Sequence, residues 1–182
     1  PPQLTASKFL AFGDSLTYGV ISPAVSLLIA SVPDSYPTGL QGRLVSRYRQ
    51  QTPVVLNDGS PGERASVEGL QRFRGELLQH RPEVVLLMEG TNDLLNGQNG
   101  ANAAVNSLRA MIGEARSQGV RVALATIPPQ RPGGRRDAVA KSIPAFNDRV
   151  RALAAAEATD LVEVFDGMKD DLSYIGVDDL HP

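Results

Sequence analysis

Short apolar runs alternate along the chain with longer stretches of helical period. KFLAF (8–12), PVVLN (53–57), EVVLLME (83–89), VRVALAT (120–126) and LVEVF (161–165) are short and rich in β-branched or aliphatic residues, which predicts strands. Between them, apolar positions recur every three or four residues over about 38–50, 66–80, 101–118 and 143–158, which predicts helices. Several strand runs are apolar throughout, so both of their faces need cover. Five such strands alternating with helices predict a doubly wound α/β fold: a five-stranded parallel sheet with helices on both faces, three layers in all, joined by right-handed crossovers. PPQRPGGRRD (128–137) interrupts the alternation and reads as a long surface loop.

Composition narrows the function classes. Of 182 residues, 42% are apolar and 21% charged, within the range of one ordinary globular domain. Lys plus Arg is 18 against 20 for Asp plus Glu, and tryptophan is absent, so neither a basic field nor an indole stacking platform for nucleic acid exists. Without cysteine there is no thiol nucleophile, thiolate metal site or disulfide. No apolar run reaches the roughly 20 residues of a membrane span. The chain opens PPQLTASK, as a processed or trimmed start would.

In open α/β sheets, chemistry collects at the carboxyl ends of the strands. Strand one ends in Gly13-Asp14-Ser15, strand two in NDGSPGER (57–64), strand three in EGTND (89–93), and strand five leads to GVDDLHP (176–182). Each end alone reads as helix capping; four together read as a site. Serine needs a base, and the sequence holds only His80 and His181. His80 ends a helix at the amino edge of the sheet, roughly one strand length or 17–20 Å from Ser15, and suits the helix dipole there. His181 follows strand five on the same side as Ser15. Asp178, three residues earlier, is spaced to meet its Nδ1, whereas Asp179 points away on a tight turn. Asn92, Gly62 N–H and Ser15 N–H are candidate donors to a tetrahedral oxyanion.

GDSLT at 13–17, the N-x-x-x-x-G of 57–62, GTND at 90–93 and the D-x-x-H of 178–181 resemble, in order, the four sequence blocks of the SGNH hydrolases, or GDSL esterases and lipases. The resemblance implies Ser15 as nucleophile, Gly62 and Asn92 as oxyanion donors with Ser15 N–H, His181 and Asp178 as the base pair, a flavodoxin-like strand order and no cofactor or metal. It implies hydrolysis of a small-molecule, lipid or other acyl ester, with thioesters and acetylated sugars as alternative substrates on the same site. Family members usually continue past the His-Pro with a further helix, so residues 1–182 are expected to form a single catalytic domain without it. A secreted or lipid-anchored bacterial protein is compatible with the resemblance; the residues encode neither compartment nor oligomeric state.

Two rival readings keep the fold. Asp14 as a phosphoryl-accepting nucleophile would need a second aspartate two positions on, where Leu16 stands, so magnesium would lack a ligand. A binding module without catalysis would not need every catalytic position filled. Finally, VISPAVSLLIASVPDSY (20–36) carries more apolar residues than a solvated loop should. The plain expectation is a short helix or coil packed into the core beside strand one. The functional one makes Val25, Leu27, Leu28 and Ile29 a wall of an acyl pocket or a flap beside Ser15.

Overall fold

The computed structural model describes residues 2–182. Its main sheet holds five parallel strands, β1 (Lys8–Gly13), β4 (Val54–Gly59), β5 (Val84–Met88), β6 (Arg121–Ala125) and β7 (Asp160–Val162), in the spatial order β4-β1-β5-β6-β7. Strands β2 (Val20–Ala24) and β3 (Leu27–Ala30) form a separate antiparallel hairpin. Six helices accompany them: α1 (Ser15–Tyr18), α2 (Tyr36–Arg47), α3 (Leu70–His80), α4 (Gly97–Ser117), α5 (Asp137–Ala156) and α6 (Val164–Met168). This is the doubly wound, flavodoxin-like order that the alternation and the resemblance predict.

The central strands explain their own composition. Leu10, Ala11 and Phe12 of β1 and Val85 and Leu87 of β5 are fully buried, as continuous apolar runs between two helical layers must be. Phe12 meets Phe73 of α3 edge to face at 4.9 Å. On α4, Ala104, Leu108, Met111 and Ala115 recur at helical spacing and share the same core cluster. The edge strand β7 is exposed at all three residues.

Several boundaries differ from the periodicity. Helix α5 begins at Asp137, six residues earlier than its apolar stripe predicts, and carries Pro144 inside it. The fifth strand stops at Val162, and Val164 already belongs to α6. The segment from Pro128 is a surface loop only in its second half: Ile127 to Gln130 are buried, with buried Asn147 of α5 accepting from Ile127 N–H (3.0 Å) and donating to its carbonyl (2.9 Å). The largest correction is Val20–Tyr36. It is neither helix nor core coil but the β2–β3 hairpin with a short 3-10 turn, and beyond buried Val20 and half-buried Ile21 its apolar side chains face solvent: Val25 is 78% and Leu28 57% exposed. Among the described residues nothing takes the side chains of Val25, Leu27, Leu28 and Ile29 from water, so their hydrophobicity does not report burial.

Strand β1 sits where the winding reverses, paired with β4 on one side and β5 on the other, with Gly13 level with Gly59 and Met88. The carboxyl ends of three strands therefore meet at one crevice.

Candidate active site

Strand β1 passes directly into α1 through Gly13-Asp14. A Cβ on Gly13 would collide with Thr17 Oγ1 and the Met88 carbonyl, so only glycine lets the chain turn this tightly. Asp14 caps the turn, its Oδ1 accepting from Leu16 N–H at 2.9 Å. Ser15 is thereby held as the first helical residue, largely buried.

The C-terminal segment brings His181 to it. His181 Nε2 lies 2.8 Å from Ser15 Oγ, across 166 residues of sequence, and Nδ1 lies 2.6 Å from Asp178 Oδ2. The other oxygen of Asp178 accepts from the backbone N–H groups of His181 (2.9 Å) and Leu180 (3.1 Å), so the carboxylate is fixed before it meets the ring. Burial pushes Asp178 up, but the hydrogen bonds from His181 and Leu180 outweigh it and hold the carboxyl below its ordinary value. Asp179 takes the left-handed conformation (φ 68°), and its carboxylate lies against Gly134 instead. The segment is tied down at several points: Ser22 N–H donates to Pro182 O (2.5 Å), Val177 N–H to Ser22 O (3.1 Å), and Arg131 to Ile175 O (2.5 Å).

Gly62 stands in the loop after β4 at φ 83°, a left-handed position with open space where a Cβ would be. Asn92, at the end of β5, begins a 3-10 turn (Asp93–Asn96) without capping it. Its Nδ2 donates to Glu63 O at 2.7 Å, tying the Asn92 block to the Gly62 loop and leaving one amide hydrogen for another acceptor. Asp93 is fully buried and accepts from Ala65 N–H (2.8 Å) and Ser66 N–H (3.1 Å), so the GTND block anchors the start of the helical segment leading to α3.

Beneath these residues lies a polar layer that motif spacing does not show. Arg72 of α3 pairs with Glu63 (Nε–Oε2 2.5 Å) and Asp58 (Nη1–Oδ1 2.9 Å), and its guanidinium stacks 3.9 Å over the Phe12 ring. Burial pushes the Asp14 carboxyl up to about 7, with the charge of Glu63 adding to the rise. Glu89 is raised well above the carboxylate range by burial and by Asp14. The only sequence signal for this layer is acids at strand ends, which capping explains equally well.

His80 is the last residue of α3, with Nε2 3.2 Å from Glu76 Oε2. Donor atoms of Asp58, Glu76 and His80 lie within 4.8 Å of one another, so these three could hold a metal ion; burial pushes Asp58 up to about 6 against the pull of Arg72. Val25, Leu27, Leu28 and Ile29 line the exposed hairpin, and none of them lines the cavity beside Leu94 and Val139 described below.

The site is thus a buried serine hydroxyl on an imidazole that is itself oriented by a carboxylate, with hydrogen-bond donors from two neighbouring strand ends. The sequence matches the family model described as the GDSL-like lipase/acylhydrolase family over residues 11–182. Comparison with curated proteins gives no match. Among solved structures, a lipase/acylhydrolase from Enterococcus faecalis is 25% identical with a TM-score of 0.78, covering 96% of this chain and 86% of its own. AlinE4, an esterase of the SGNH-hydrolase family, is 26% identical with a TM-score of 0.73, covering 100% and 88%. TesA is 28% identical with a TM-score of 0.74, covering 96% and 88%. With the family match spanning all four blocks and the fold shared throughout, the chain belongs to the GDSL-like lipase/acylhydrolase family and is a carboxylic ester hydrolase.

Proposed function

We propose that the chain cleaves carboxylic esters through an acyl-enzyme, as a single catalytic domain without a cofactor, using Ser15, His181 and Asp178. The observation that carries the reading is the pair of contacts on one imidazole, 2.8 Å to the Ser15 hydroxyl and 2.6 Å to Asp178. Neutral His181 takes the hydroxyl proton on Nε2 as Ser15 Oγ bonds to the ester carbonyl carbon, while Asp178 holds the tautomer with its proton on Nδ1. The carbonyl oxygen becomes an oxyanion, received by the free amide hydrogen of Asn92 and by the N–H groups of Gly62 and Ser15. Collapse breaks the bond to the alcohol oxygen, which leaves with the proton from His181. Water then adds to the acyl-enzyme by the same proton path and releases the acid.

Turnover of a short 4-nitrophenyl ester tests this. Ser15→Ala and His181→Ala are expected to abolish it and to prevent labelling of the protein by a serine-directed phosphonate, while His80→Ala stays close to wild type. Equal losses at His80 and His181, or phosphonate labelling that persists in Ser15→Ala, would sink the assignment.

A further inference from the structure

A cavity of about 320 Å³ opens between the turn after Asn92 and helix α5, within the size range of small-ligand sites. Leu94 and Leu95 form one wall, Val139 and Phe146 the other. Its charge is one-sided: Arg135, Arg136 and Arg149 line it, and among the described residues none of the acidic ones does, in a chain whose net charge is −2.

Several donors there are unmatched among the described residues. Arg136 Nη2 and Arg149 Nη1 are buried without a hydrogen-bond partner among the described residues. Arg136 Nε donates to Gln130 Oε1 (2.9 Å), and the amide nitrogen of that buried glutamine is unpartnered too. A guanidinium does not shed its proton in a protein, so burying one without a partner carries a standing cost. Burial lowers the Arg136 pKa although Asp178 and Asp14 stand near it. Neither acid is a dedicated counter-ion: Asp178 is committed to His181, and Asp14 is raised to about 7. Three buried donors without acceptors, beside an apolar channel, are the complement of a chain that ends in an anion.

We propose that this groove binds the acyl chain of an ester that bears a carboxylate or phosphate group, the anion meeting Arg149 and Arg136 while the chain lies between Leu94, Leu95, Val139 and Phe146. The inference rests on the ester-hydrolase reading above. The acyl side rests on the wall: Leu94 lies in the turn that Asn92 begins, and Arg136 stands near enough to Asp178 and Asp14 to feel their charge, so the groove adjoins the proposed site. A planar guanidinium matches either oxyanion in a forked geometry.

Two esters of equal chain length test it: mono(4-nitrophenyl) glutarate and 4-nitrophenyl pentanoate differ only in a terminal carboxylate against a methyl. Wild type is expected to favour the glutarate by about tenfold or more in kcat/KM, carried mainly by KM. That ratio should shrink with added NaCl and fall towards one in Arg149→Gln, with Arg149→Lys in between. Should Arg149→Gln fail to fold, Arg135→Gln on the exposed loop reads the same ratio. Equal rates on the two esters in wild type, or a preference untouched by removing these cations, would overturn the proposal. Calorimetry on Ser15→Ala with monoethyl glutarate and ethyl pentanoate reads the groove without turnover. Tighter binding of the glutarate together with hydrolysis of neither ester in wild type would reject the hydrolase reading and keep the anion site; equal binding would reject the anion site alone.

Discussion

The proposed role of Asn92 asks two jobs of one amide. One hydrogen goes to Glu63 O at 2.7 Å, which fixes the group, and the other is left for the proposed oxyanion. Because the side chain makes no cap hydrogen bond with the turn it begins, the helix-capping explanation of this residue has no contact to rest on. Asn92→Ala is therefore expected to lower kcat by roughly 100- to 1000-fold with little change in KM, the size of a lost oxyanion donor. A capping residue would cost about 1 kcal/mol of stability and spare the chemical step. Steady-state kinetics beside a melting curve separates the two outcomes. At this scale, spacing makes some features readable and leaves others hidden. Asp178 and His181 are three apart and meet through a local turn, so their pairing can be read along the chain. The contacts of Arg72 with Glu63 and Asp58 depend on how α3 lies against the end of β4, which no local pattern records.

Elements differ in legibility for a similar reason. Strands β1 and β5 are readable because both faces are buried, which forces a continuous apolar run. The same rule misreads the hairpin, since Leu27 to Ala30 are apolar and yet all exposed. Helix α5 starts earlier than its stripe because its first turn offers only one large apolar side chain, buried Val139, between the small Ala138 and Ala140, and Pro144 imitates a later helix start. The hairpin supplies an element-scale prediction. Leu28→Ser is expected to change unfolding free energy by no more than about 0.5 kcal/mol, as for an exposed site, whereas a leucine in the core would cost about 2 to 5 kcal/mol when truncated. Urea denaturation measures the difference, and a loss in the upper range would mean that the hairpin is covered in solution.

For the whole molecule, the buried acids beside Ser15 link stability to pH. The Asp14 carboxyl is raised from 3.8 to about 7, chiefly by burial, so the folded state holds its proton more tightly than the unfolded chain does. Its contribution to stability is complete below pH 4 and is lost as pH rises towards and through about 7. Glu89, raised by burial and by Asp14, acts in the same direction. Asp14→Asn keeps the acceptor for Leu16 N–H but cannot ionise. Relative to wild type, it should gain on the order of a few kcal/mol between pH 4 and pH 8, read from denaturant unfolding at both values. A pH-independent difference would place the buried charge elsewhere.

His181 stands 166 positions after Ser15, and this separation sets when the proposed chemistry can begin. A chain emerging from the ribosome exposes this serine before strands β4 to β7 have been made, whereas the imidazole and carboxylate proposed to activate it follow all of them. Nascent chains that have not yet reached His181 consequently carry a serine without its proposed base. In that reading, hydrolytic activity reports chains in which synthesis has passed His181.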